Sequence, residues 1–173
     1  MQALENKEQW LDEFREGWLA HCLRTGAFEG TLYRYAANTV PPPGSGINLA
    51  ASRLMLVSSA GAYLPGRQEP FDAENVLGDY SIRLFAHSTP LDELDYAHTH
   101  YDQEAVRRDP QVLLPLRHLE ELVAEGIVGE VAPSVVSFMG YQPDISRVVD
   151  ETLPAVLRMA QEEQVRAALL VPA

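Results

Sequence analysis

Arg53-Leu54-Met55-Leu56-Val57-Ser58-Ser59-Ala60-Gly61 decides the fold, because four consecutive apolar side chains run into four small residues. A run this short and this uniformly apolar reads as a strand buried on both faces, the habit of a parallel sheet rather than of a half-solvated antiparallel one. The residues that close it, Ser58 to Gly61, allow another stretch of backbone or a ligand to come close.

Downstream, Ser81 to Phe85 reads as a second, weaker strand, and the polar stretch from His87 to Arg108 has no sustained helical period. Leu113, Leu116, Leu119 and Leu122, with Val123, form an i+3/i+4 stripe, so Pro115 to Glu125 is expected to be a helix that starts near its proline and stops at Gly126. Glu130 to Ser137, with Val131, Val135 and Val136, reads as a strand, after which Phe138-Met139-Gly140-Tyr141 turns the chain toward Asp144, a good N-cap. The following helix, Asp144 to Glu163, should place Ile145, Val148, Val149, Leu153, Val156 and Ala160 on one face and bend at Pro154. Arg166 to Val171 is the last strand. Strands and helices in alternation imply parallel pairing through right-handed crossovers, hence a layered, Rossmann-like α/β fold with a mostly parallel sheet.

Upstream, Trp10, Phe14, Trp18 and Cys22 recur at i+4 with Leu11 and Leu19 beside them, so Asn6 to Leu23 is an N-terminal amphipathic helix ended by Gly26. Pro41-Pro42-Pro43-Gly44-Ser45-Gly46 excludes helix interior and central strand, and it reads as a loop within one α/β domain spanning residues 1–173.

With 13 basic and 25 acidic residues the net charge is −12, which repels phosphate backbones, so no nucleic-acid partner is expected. Cys22 is the single cysteine, expected as a buried structural thiol, and it suits a reducing cytoplasm. Met1 to Trp10 lacks the apolar core of a signal peptide and no stretch approaches a membrane span, so no membrane role is expected.

Ligands of open α/β sheets sit outside the carboxyl ends of the strands. The candidate binding segments are therefore the loop with Ser59 and Gly61 and the turn with Met139, Gly140 and Tyr141. The third candidate is Tyr96-Ala97-His98-Thr99-His100-Tyr101-Asp102. As a strand it would project His98, His100 and Asp102 to one face, where they could move protons, bind a substrate amine or hold metal. Tyr101 lies among them. The block echoes the HxHxDH signature of the metallo-β-lactamase fold but breaks it at Gln103 and lacks the further downstream histidines, so no metal is assigned. Ser58 and Ser59 lack the leading glycine of a nucleophile elbow, and the glycine segments miss the spacing of phosphate loops, so no nucleotide cofactor is assigned either.

The strand-and-loop Leu54 to Gly61, the block His98 to Asp102 and Ser137-Phe138-Met139-Gly140-Tyr141 occur in an order that resembles the selenoprotein B family, the selenocysteine-bearing subunits of the glycine, sarcosine, betaine and D-proline reductases. Pro70-Phe71-Asp72, Asp109, Leu119-Glu120-Glu121-Leu122 leading to Gly126, and Ala168 to Ala173 extend the likeness, which runs from about Leu54 to Ala173.

The resemblance implies a reductase subunit that cleaves C–N bonds of amino acids or amines, with electrons from dithiols through a thioredoxin-like donor and with a partner subunit. It places the reactive selenocysteine or cysteine just after the strand that ends at Val171-Pro172, so no catalytic residue is expected within this chain and the redox centre is expected immediately after Ala173. On this reading the domain is shortened at its C-terminus, at a codon the family reads as selenocysteine, and the chain alone is inactive. The alternatives are a noncatalytic binding or scaffold homologue and a metal-dependent hydrolase using His98, His100 and Asp102. An exposed last strand is also expected to be able to pair with another copy.

Overall fold

The computed structural model describes residues 4–40, 46–98 and 101–173, and the chain forms two compact units, Met1–Gly46 and Ile47–Ala173.

In the first unit the expected amphipathic helix runs from α1 (Lys7–Phe14) through a π-helical turn, Arg15–Leu19, into α2 (Ala20–Thr25). Leu11, Phe14, Trp18 and Cys22 are its buried residues, the spacing that the sequence pattern predicts. Gly26 ends it at φ 69°, a left-handed conformation glycine adopts without a Cβ clash, and its N–H donates to the Cys22 carbonyl. Phe14 and Trp18 stack at 5.4 Å, and Tyr33 meets both edge-on at 5.6 and 5.3 Å. These offset and edge-to-face pairs suit the ring quadrupoles.

The second unit is built on β1 (Arg53–Ser58). Two very short strands, β2 (Ala62–Tyr63) and β4 (Asp95–Tyr96), pair antiparallel on either side of β3 (Ile82–Ala86) in sequence. Then follow α3 (Gln103–Arg108), α4 (Leu116–Ala124), β5 (Glu130–Val131), β6 (Ser134–Phe138), α5 (Ile145–Arg147), α6 (Leu153–Glu162) and β7 (Ala167–Val171). β1 pairs in parallel with β7 along one edge and with β5 and β6 along the other, and β3 closes the far side antiparallel to β6. The architecture is mixed α/β with a mostly parallel sheet.

Alternation along β1 splits the core between two faces. Leu54 and Leu56 pack with Val106, Leu114, Leu116 and Leu119 from α3, α4 and the turn between them. Met55 and Val57 join Ala132 and Val136, against which Val156, Met159 and Ala160 of α6 are laid. A strand covered on both faces favours apolar side chains, which is why Leu54–Val57 is uniformly apolar, and the buried Ser58 that ends it satisfies its hydroxyl on the Leu113 carbonyl at 2.9 Å.

Three details differ from the sequence expectation. The strand expected over Glu130–Ser137 is broken into β5 and β6 at Ala132-Pro133, because proline has no N–H for a ladder bond. Pro154 stands in the first turn of α6, and the disturbance upstream of it is a π-helical turn, Val148–Thr152, between α5 and α6. A π turn adds a residue, which rotates the rest of the helix by about 100°. Leu153, expected on the core face, is accordingly 46% exposed, whereas Val156 and Ala160 pack inward.

Among the described residues no helix is long and apolar enough to cross a membrane.

Candidate functional site

The carboxyl ends of the three parallel strands β1, β6 and β7 come together, and the loops that leave them interlock. β1 exits into Ser59-Ala60-Gly61, β6 into Met139-Gly140 and β7 into Pro172-Ala173. The Ser59 N–H donates to the Val171 carbonyl at 3.0 Å, and the Ala173 N–H donates back to Ser59 Oγ at 2.7 Å. Gly61 N–H donates to the Phe138 carbonyl at 2.9 Å, and Ala60 bridges to Met139. Ser59, Gly61, Met139 and Gly140 thus stand where the pattern of a strand running into small residues places them.

His98 enters this crevice from a different part of the chain. Its approach is fixed by the β2–β4 pair and by the Ala97 N–H, which donates to the Gly61 carbonyl at 3.0 Å. The imidazole belongs to a residue only 5% exposed. It lies between two glycines. A Cβ on Gly61 would stand 3.2 Å from His98 Cβ and 3.0 Å from Met139 Sδ, and a Cβ on Gly140 would stand 2.9 Å from His98 Nε2. Gly61 also has φ 65°, so glycine is required there by backbone conformation and by space together. Gly140 itself is exposed, so the crevice opens to solvent at Gly140 while Ser59, His98 and Met139 lie beneath.

Tyr101 braces the imidazole. Its ring centroid is 4.8 Å from that of His98, and its hydroxyl donates to the Ala60 carbonyl at 2.7 Å. Burial pushes the Tyr101 phenol well above the usual tyrosine range, so it stays a donor at every working pH. Gln103 is a residue that sequence reasoning misses. Its Nε2 donates to the carbonyls of Tyr96 and His98 at 3.2 and 2.5 Å, tying the start of α3 to the strand before the histidine. Only its place at the first position of a helix hints at such a role, and no periodic pattern could reveal it.

The remaining predicted residues stand apart. Asp102 caps α3, its Oδ1 accepting from the N–H groups of Glu104 and Ala105 at 3.0 and 3.2 Å. The run His98 to Asp102 is not a strand in its described residues, because the chain is already turning into that helix. His100 lies outside the described residues. Tyr141 sends its hydroxyl to the Val76 carbonyl at 3.1 Å, away from the strand ends. Among the described residues no group of three His, Cys, Asp or Glu side chains is placed to hold a metal ion.

A buried imidazole beside glycine backbone and a serine hydroxyl can hold or move one proton and can orient a ligand that enters over Gly140. Such a crevice, at the carboxyl ends of parallel strands, is where open α/β sheets bind their ligands.

The model of the glycine/sarcosine/betaine reductase selenoprotein B family matches residues 18–171. D-proline reductase subunit gamma of Acetoanaerobium sticklandii is 28% identical over 138 residues, 79% of this chain and 55% of that protein. The chain thus spans about half the length of this curated relative. No solved structure matches it. With the family match extending over nearly the whole sequence and over the strands β1, β6 and β7 whose ends meet at the crevice, the chain belongs to the glycine/sarcosine/betaine reductase selenoprotein B family.

Proposed function

We propose that the crevice formed by Ser59, Gly61, His98, Met139 and Gly140 is the substrate side of a dithiol-dependent reductase that cleaves a C–N bond of a small amino acid or amine. Glycine, sarcosine, betaine and D-proline are the candidate substrates. In the balanced reaction two thiols are oxidised to one disulfide, the carbon gains hydrogen, and the nitrogen takes up a proton, leaving as ammonia or an amine or, for D-proline, staying on the ring-opened product. The reactive selenocysteine or cysteine belongs, on this reading, to the segment after Ala173, and His98 supplies or accepts the proton that balances the cleavage.

The observation that carries the reading is the bond from Ala173 N–H to Ser59 Oγ. It brings the end of β7 to the Ser59 loop at the edge of the crevice that holds His98, which supports a redox group carried just beyond it acting at that crevice. The relative is named as a subunit of D-proline reductase, which supports assembly with a partner subunit. A thioredoxin-like dithiol as the electron source and a cytoplasmic location belong to the same proposal.

Isothermal titration of the chain with D-proline, glycine, sarcosine and betaine tests it. Saturable binding of one of them, without oxidation of added dithiothreitol by the chain alone, is the expected result. Failure of all four to bind would favour the noncatalytic scaffold instead.

A further inference from the structure

A second candidate site lies away from the strand ends, on the surface made by α3, α4 and the turns before and between them. A cavity of about 530 Å³ is lined by Tyr96, Arg107, Arg108 and Arg117, with Asp92 and Asp109 also on its walls. Three bases against two acids is the reverse of the chain as a whole, where 13 bases meet 25 acids. Asp109 is partly committed, its Oδ1 accepting from the Gln111 N–H at 3.1 Å, and Arg107 is drawn to Asp95 at 3.6 Å and to Gln103 Oε1 at 3.1 Å. Arg108 and Arg117 form no ion pair among the described residues.

The floor of the cavity adds an independent sign. Tyr96 is 6% exposed, and its hydroxyl is buried with no hydrogen-bond partner among the described residues. Burial pushes its phenol up to about 12, so the group remains a proton donor with its bond unmade, a costly state for a native side chain. A smaller cavity of about 170 Å³ shares Leu91, Gln111 and Arg117 with the first and is lined by His87, whose Nδ1 is likewise buried without a partner among the described residues. An unmet buried phenol donor at Tyr96 beside an arginine-lined groove points to a ligand that supplies acceptors.

We propose that this groove binds a small anion bearing a carboxylate or a phosphate, gripped by the guanidinium groups of Arg108 and Arg117. Guanidinium forks suit both groups, since each offers paired oxygens to paired N–H donors. The inference is independent of the proposed reductase chemistry and of the strand-end crevice.

The test is isothermal titration of the chain with inorganic phosphate and, separately, with acetate, in chloride buffer. It compares wild type, the double variant Arg108→Gln/Arg117→Gln, and Arg158→Gln as a remote arginine control. Both groove arginines are exposed, so their replacement removes charge rather than packing. Saturable binding of phosphate or acetate, weakened at least tenfold in the double variant and unchanged in Arg158→Gln, is expected. No saturable heat with either anion, equal binding by the double variant, or an equal loss in Arg158→Gln would overturn the proposal.

Discussion

Nε2 of His98 lies 2.9 Å from the point where a Cβ on Gly140 would stand, so the imidazole occupies space that only a glycine leaves open. Gly140→Ala is expected to displace the ring and weaken ligand binding at the crevice more than it lowers stability, since a side chain can give way. Gly61→Ala should instead cost stability, about 2 kcal/mol, because its φ of 65° disfavours a Cβ and the Met139 sulfur and His98 backbone crowd it. Urea unfolding of both variants, with the imidazole resonances of His98 followed by NMR, separates the two effects. Equal destabilisation with no shift of His98 would count against this picture.

Asp102 acts through its cap. Asp102→Ala is expected to lose about 1 kcal/mol of stability, and Asp102→Asn to retain most of it, because the amide oxygen can still accept from Glu104 and Ala105. An Ala variant as stable as wild type in urea unfolding would remove the cap from the account.

Glu5 ties its unit together at low cost in burial. Its carboxylate accepts from the Thr39 hydroxyl at 2.8 Å and from the N–H groups of Thr39 and Val40 at 3.1 and 3.2 Å. The Thr39 side-chain bond first, then the two backbone bonds, hold its carboxyl below the ordinary glutamate range. A lowered folded pKa means the stabilisation is fully present above about pH 5 and is lost as pH falls through the folded value. The amide resonances of Thr39 and Val40 should therefore titrate with a midpoint below about 4.3, and Glu5→Gln should abolish that titration.

Cys22 is 5% exposed, and burial pushes its thiol above the ordinary cysteine range. Only the thiolate is an effective nucleophile, so alkylation by iodoacetamide at about pH 7.5 should be far slower than for the unfolded chain, by about a hundredfold or more. Comparable rates with and without denaturant would contradict the packing of the N-terminal helix.

The legibility of each element in the sequence depends on the length of its signal. β1 is a buried apolar run, β7 is an apolar run paired along it, and α4 carries a leucine stripe that leaves Leu116 and Leu119 in the core, so the hydrophobic pattern finds all three. β2 and β4 are two residues each, too short to show any alternation, yet they carry His98 to Gly61. The same blindness makes His98 to Asp102 look like a strand, although Asp102 before the good helix formers Gln103 to Arg108 is an N-cap signal. The exposure of Leu153 escapes a hydrophobic pattern because nothing in such a pattern announces a π turn. Ser59, Gly61, Met139 and Gly140 are legible as loops at strand ends, whereas the clamp by Gln103 depends on a contact that folding alone creates.

If ligands enter at the strand ends over His98, the most direct measurement is a titration of ¹⁵N-labelled chain with the substrate that binds it, mapping amide shifts in wild type and in His98→Ala. The account predicts saturable shifts concentrated at Ser59, Gly61, Gly140 and Ala173, lost in His98→Ala while the rest of the spectrum stays in place. Shifts that cluster elsewhere, or that persist unchanged without the imidazole, would contradict it.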